Sequence, residues 1–254
     1  MPGPERVQDF MQKNSVKAAV CVPHYTPVKE KPFTDFNPLV LKAIKFEGVY
    51  GGLYVSPEPE VWEYTTSVMH EIRENKQEKL VALKMSPDAW ADGRSWHPDS
   101  PVAANILKIC QFAGDLGVVI QTHTGSDNSK IDNYAAFIAK YADVLDEYHV
   151  KIQFVHAGGS AGGQIKFCNK YFFNWLRQGL DFYADISFGR EFGMRLLIDN
   201  AMEEKLGIDR ILFASDEPWG SFGARVEMIK EMHLPKSVEK QVLWDNAAKL
   251  YLKS

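Results

Sequence analysis

Seven short apolar runs punctuate the chain: KAAVCV (17–22), VYGGLYV (49–55), LVALKM (80–85), VVIQT (118–122), KIQFV (151–155), FYADIS (182–187) and ILFAS (211–215). Each is rich in β-formers and continuously apolar rather than alternating. That is the pattern of a parallel sheet buried on both faces. Between most of them the period becomes helical. PVAANILKICQFAGDL (101–116) sets Val102, Ile106, Ile109, Cys110 and Ala113 on one stripe. DNYAAFIAKYADVLDEY (132–148), GMRLLIDNAMEEKL (193–206) and ARVEMIKEM (224–232) repeat the design. ERVQDFMQKN (5–14) predicts a helix ahead of the first strand, and SVEKQVLWDNAAKLYL (237–252) predicts the last helix, after Pro235.

Strands and helices alternate with no composition break, linker, low-complexity segment or internal repeat. The expectation is one α/β domain over residues 1–254. The rhythm alone suits a doubly wound open sheet or a closed barrel. A length of 254 residues favours a (β/α)8, TIM-barrel-like form.

Charge narrows the function classes. The net charge is −4, with basic and acidic residues interspersed. This excludes a basic stripe for nucleic acid and a polybasic membrane anchor. A small anionic substrate stays open, because a site can be locally positive. Cys21, Cys110 and Cys168 are odd in number and far apart, which fits free thiols in a reducing cytoplasm. No apolar run approaches membrane-spanning length, and the first residues lack the apolar core of a signal peptide. A soluble cytoplasmic protein is expected.

In either parallel architecture a site forms at the carboxyl ends of the strands. VVIQT is followed by His123, KIQFV by His156, and ILFAS by Asp216. Lys84 lies near the tip of LVALKM, and His24 follows KAAVCVP. If the sheet closes, two imidazoles and a carboxylate from different strands can reach one point. That donor set suits Zn²⁺ or a similar ion with a position left for water. Such water can attack a carbonyl while a carboxylate takes its proton. The competing reading is two hydrogen-bonded rim histidines and an aspartate that caps the next helix. SPDAWADGRSWHPDS (86–100) predicts a lid or specificity loop, with Arg94 able to clamp a substrate carboxylate. HAGGSAGG (156–163) has neither P-loop nor Rossmann spacing, so a tight strand-to-helix passage is expected there.

VIQTHTG, FVHAGG, DFYADISFG, RILFASDEPWGSF and VLWDNAAKLY resemble, in that order, the later strands of the amidohydrolase-related family. This is the mostly mononuclear branch of the amidohydrolase superfamily, and the resemblance covers residues 5–252. It implies a metal-dependent hydrolase or decarboxylase on a (β/α)8 barrel. By position His123 resembles the family's fifth-strand metal ligand. His156 resembles the sixth-strand histidine that polarises substrate or water and in some relatives touches the metal. Asp216 resembles the eighth-strand aspartate that binds metal and moves a proton. The implied activity is hydrolysis of a small amide, lactone or ester, with zinc as the expected divalent ion. The alternatives are a non-hydrolytic decarboxylase and a metal-free barrel that only binds a ligand. Lys84, Arg94 and His24 are the candidate substrate contacts.

The chain departs from the family at its start. It contains no His-x-His, the pair that ends the family's first strand, and it has seven candidate strands rather than eight. Metal affinity should suffer. Two exposed sheet edges are expected, covered either by the helix at 5–14 or by another copy in a homo-oligomer.

Overall fold

The apolar runs become β1 (Ala19–Cys21), β2 (Val49–Tyr54), β3 (Leu80–Met85), β4 (Val119–His123), β5 (Lys151–Val155), β6 (Phe182–Asp185) and β7 (Ile211–Leu212). In this computed structural model, which describes residues 4–23, 35–75, 79–187 and 191–252, they lie parallel in one sheet in chain order. The sheet curls into an open TIM-barrel-like form, and among the described residues no ladder joins β1 to β7. The two outer strands are shorter than their apolar runs. Each pairs with a neighbour on one side only, so its ladder ends early.

Helices carry the crossovers that parallel strands require. The first, α1 (Glu5–Lys13), precedes β1, and α2 (Asn37–Ala43) leads into β2. Next come α3 (Trp62–Asn75), α4 (Ala103–Leu116) and α5 (Ile131–Glu147). A π-turn joins α6 (Ala161–Lys166) to α7 (Phe173–Arg177), and α8 (Glu191–Glu203) follows β6. The chain finishes with α9 (Phe222–Glu231), α10 (Lys236–Lys240) and α11 (Asn246–Tyr251). Ile106, Ile109, Cys110 and Ala113 of α4 are buried, as their stripe predicts. Among the described residues, no helix is long and apolar enough to cross a membrane.

The two faces of the sheet differ. One carries Leu53, Leu83, Ile120, Ile152 and Phe182 into the core shared with the helices. On the other, Lys84, Gln121, Gln153 and Tyr183 fall in register across four strands. This inner face is closed by a smaller cluster of Val81, Val119, Tyr183, Leu212 and Tyr251, with Val20 and Tyr50 against it.

The seam between β1 and β7 is covered by α1. Its Met11 packs on Ala43 and Val49, with Val7 and Phe10 beside them. On the far side Phe10 meets Phe222 edge-on at 5.5 Å, and Phe222 meets Phe213 at 5.4 Å. Just past β7, the N–H of Phe213 donates to Val242 in a second π-turn, at 3.0 Å. Of the two covers expected from sequence, the helix at 5–14 is thus in place. Phe10→Ala should cost about 1–2 kcal/mol, the value of a half-buried aromatic side chain. It should also raise self-association, measured by light scattering during urea unfolding. An unchanged midpoint and monodispersity would remove α1 from this role.

Candidate active site

Every strand from β3 to β7 sends a titratable group to the same end of the sheet. β3 supplies Lys84 and the turn after it Asp88; β4 ends in His123; His156 follows β5; Asp185 ends β6; Asp216 lies four residues past β7. The rings of His123 and His156 stand 4.8 Å apart at 82°. Burial lowers Lys84, while the charges of Asp185, Asp216 and Asp88 pull the other way. The structure thus brings together four of the residues singled out from sequence: Lys84, His123, His156 and Asp216.

Local backbone places two of them. His156 (φ 69°) and Asp216 (φ 59°) both adopt the left-handed region that non-glycine residues rarely occupy. Such strain persists where the surroundings over-determine it, and it clusters at functional sites. At His156 the turn is pinned by its own N–H on Asp185 Oδ1 (3.1 Å) and by Gly158 N–H on Thr124 Oγ1 (2.8 Å). The next residue but two, Gly159, passes the THTG turn so closely that a Cβ there would lie 2.4 Å from Gly125 Cα. The glycine-rich segment is thus a tight passage past the site, as expected. At the other tip, the N-cap of α9 is Ser221, whose Oγ accepts from Ala224 N–H. Glu217 also turns to that helix start, accepting from Phe222 N–H at 2.7 Å. Asp216 itself is not the cap.

Each ionisable group has a distinct environment. His123 Nδ1 stands 2.6 Å from Asp88 Oδ2, close enough for an ion pair though off the axis of a regular hydrogen bond. Burial raises the Asp88 carboxyl, but His123, Ser126 and Ser129 outweigh it and bring it down to about 2. Burial, only partly opposed by the charge of Asp185, brings His156 down to about 4, so its imidazole is neutral at pH 7. Lys84 is 7 % exposed, and burial lowers its amine to about 8. Asp216 is shifted upward by burial and then by Asp185, with Lys84, His123 and Arg225 opposing. Asp185, 1 % exposed, accepts from Gln153 Nε2 (2.6 Å), His156 N–H, Ser187 N–H (3.0 Å) and the Ser187 hydroxyl.

Of the expected substrate contacts, Arg94 is not part of this group. Arg94 is committed elsewhere: its guanidinium bonds Glu58 Oε1 at 2.9 Å and both oxygens of Glu60 at 2.5 and 2.7 Å. It ties the 86–100 loop to the end of β2, which a fork of five donors does well. His24 lies outside the described residues. Conversely, Asp88 and Asp185 escaped the sequence reading. Asp185 did leave a signal, a carboxylate inside the apolar run FYADIS.

The amidohydrolase family profile matches residues 24–253, and the chain belongs to that family. Curated protein sequences give no match. Solved structures give fold similarity along nearly the whole chain at low identity. The 5-carboxyvanillate decarboxylase of Sphingomonas paucimobilis is 15% identical with a TM-score of 0.65, over 98% of this chain and 83% of that one. A dihydroxybenzoic acid decarboxylase from Polaromonas, solved with bound manganese and 2-nitroresorcinol, is 17% identical with a TM-score of 0.60, over 97% and 85%. The 4-oxalomesaconate hydratase of Rhodopseudomonas palustris is 16% identical with a TM-score of 0.61, over 97% and 80%. Likeness at this level establishes the barrel fold and leaves the reaction open.

The Polaromonas decarboxylase holds manganese, so the donors of this chain can be tested against a divalent ion. In this chain His123 and His156 offer imidazole nitrogens and Asp216 a carboxylate, the right chemistry. Yet among the described residues no three His, Cys, Asp or Glu side chains are placed to share an ion. The Lys84 ammonium already faces Asp88, Asp185 and Asp216. The described residues do not make up a metal centre.

Proposed function

We propose that this chain is a lyase that removes CO₂ from a small aromatic or unsaturated carboxylic acid. The observation that carries this reading is the juxtaposition of the buried Lys84 ammonium with the half-buried Asp216 carboxyl at the end of the sheet where His123 and His156 meet. Lys84 is the cation that holds the substrate carboxylate. Asp216, with its proton favoured by burial, is the acid. As the C–C bond to the carboxylate breaks, its electron pair stays on carbon, and carbon takes the proton from Asp216. Solvent then returns a proton to Asp216. The neutral imidazole of His156 orients a substrate oxygen. Charge balance favours an anionic substrate. Lys84 faces Asp88, Asp185 and Asp216, and Arg225 faces Asp216, so the acidic groups that an incoming carboxylate meets are already partly neutralised. The decarboxylases among the similar folds add support.

Hydrolysis of a small amide, lactone or ester is the second reading. His156 favours it, because an imidazole neutral at pH 7 can take a proton from attacking water. Zinc, the ion expected from sequence, and manganese both enter as arms of the test. Cytoplasmic residence belongs to the same proposal and is supported by three unpaired cysteines.

The test is CO₂ release from a panel of aromatic and unsaturated acids, beside hydrolysis of esters, lactones and amides. Each assay is run in chelator, in Zn²⁺ and in Mn²⁺. Asp216→Asn should lower CO₂ release by about 10²-fold or more, with KM little changed. Full CO₂ release by that variant, or hydrolysis without CO₂ release, would reject the lyase. Turnover of nothing would leave a ligand-binding barrel.

A further inference from the structure

We infer that Asp185 and Ser187 are positioning residues that hold His156 in one tautomer, with the proton on Nδ1 and the lone pair on Nε2. The inference rests on His156 belonging to the proposed site. Its physical content is a count of donors and acceptors.

A carboxylate only accepts. Asp185 Oδ1 takes the hydroxyl proton of Ser187 together with the N–H groups of His156 and Ser187. A serine hydroxyl has one proton to give. Having given it to Asp185, Ser187 Oγ can only accept from its other neighbour, which is His156 Nδ1 at 2.8 Å. The second group facing Nδ1 is the Ser187 carbonyl at 3.2 Å, which also only accepts. Both of these groups therefore demand a proton from Nδ1. Without such partners the two neutral tautomers of an imidazole would both be populated, and part of the protein would present an N–H where the reaction needs a lone pair.

The polarity is set from below as well. Gln121 Nε2 donates to Tyr251 Oη at 2.9 Å, Tyr251 Oη donates to Gln153 Oε1, and Gln153 Nε2 donates to Asp185 Oδ2 at 2.6 Å. Every step points toward Asp185. The carboxylate is thus the sink where a chain crossing the inner face of the barrel meets a second one that starts on the His156 ring.

The experiment is a two-bond ¹H–¹⁵N correlation spectrum of the histidine side chains in the ¹⁵N-labelled full chain at pH 7. His156 is assigned by the signal lost in His156→Gln. The native protein should show a single pattern with the proton on Nδ1. Asp185→Ala removes the acceptor of the Ser187 hydroxyl, so the hydroxyl can turn to donate to Nδ1, and the Nε2–H pattern should grow. Ser187→Ala leaves only the more distant carbonyl, so it should give a mixture of the two tautomers and serves if Asp185→Ala does not fold. On any substrate that is turned over, kcat of Asp185→Ala should fall about 10²-fold with a smaller change in KM. A native spectrum with the proton on Nε2, or a folded variant whose spectrum is unaltered, would overturn the inference. The spectrum needs no substrate, so failure of the decarboxylase assay would leave this inference to stand or fall by itself.

Discussion

Lys84→Met should make the protein more stable at pH 7 and abolish its turnover. Burial lowers the Lys84 amine from 10.5 to about 8, against the attraction of Asp185, Asp216 and Asp88. A drop of that size means the charged form costs the folded state about 3 kcal/mol relative to the unfolded chain. Below pH 8 both states bind the proton, and the cost is present in full. Between about 8 and 10.5 the folded chain sheds its proton first, so stability rises with pH across that window. Methionine matches the stem of lysine and carries no charge. Burial outweighs the attraction of those three carboxylates, so an uncharged side chain of similar volume suits the folded state better than the ammonium. The variant should gain about 2–3 kcal/mol at pH 7, or about 5–10 °C in Tm for a chain of this length, and should lose the alkaline rise. Turnover should fall about 10³-fold, because the substrate carboxylate loses its counter-charge and arrives among acidic groups. In the native enzyme the rate should decline as pH climbs through about 8, where Lys84 loses its charge. Calorimetry at pH 7 and pH 10 beside a pH–rate profile measures all of this. A less stable variant at pH 7 would mean that the ammonium chiefly holds the three carboxylates together.

The sequence made the fold and half of the site legible, for one physical reason. A continuously apolar run must be buried on both faces, so a polar residue at its end can only face the mouth. His123, His156, Asp216 and Lys84 all obey that logic, and the structure gathers all four. What escaped depends on how loops cross. Asp88 reaches His123 from the turn after β3, and nothing near either residue announces the pair. Arg94 looked like a clamp for substrate because Glu58 and Glu60 are distant in the chain, yet they take its guanidinium. Asp185 was hidden inside an apolar run, although an unexplained carboxylate there is itself a sign of a built hydrogen-bond network. The choice between hydrolysis and decarboxylation was never legible. Both reactions use an imidazole, a carboxyl acid and a cation in one pocket, and composition cannot say which bond lies across them.

Tyr251→Ala should bring the protein close to unfolding, although Tyr251 stands beside the last described residue. Its ring packs in the inner cluster with Val81, Val119, Tyr183 and Leu212, drawn from β3, β4, β6 and β7. A complete barrel fills its interior with side chains from eight strands. Here the described residues supply seven strands, and a tyrosine from α11 packs among their inward side chains. The hydroxyl sits between Gln121 and Gln153 and serves both. Tyr251→Phe removes that oxygen alone. It leaves Gln153 Oε1 and Gln121 Nε2 without their shared partner, at a cost of about 1–3 kcal/mol. Tyr251→Ala adds an empty space the size of the ring, worth about 3–5 kcal/mol more. Together these approach the whole stability of an ordinary domain, about 5–15 kcal/mol. Urea unfolding followed by near-ultraviolet circular dichroism should therefore show a native-like but weakened Phe variant and an Ala variant largely unfolded at 37 °C. The Phe variant should also lose some activity, since Gln153 is then held less firmly on Asp185. If Tyr251→Ala costs under about 2 kcal/mol, the interior is closed by something other than this ring.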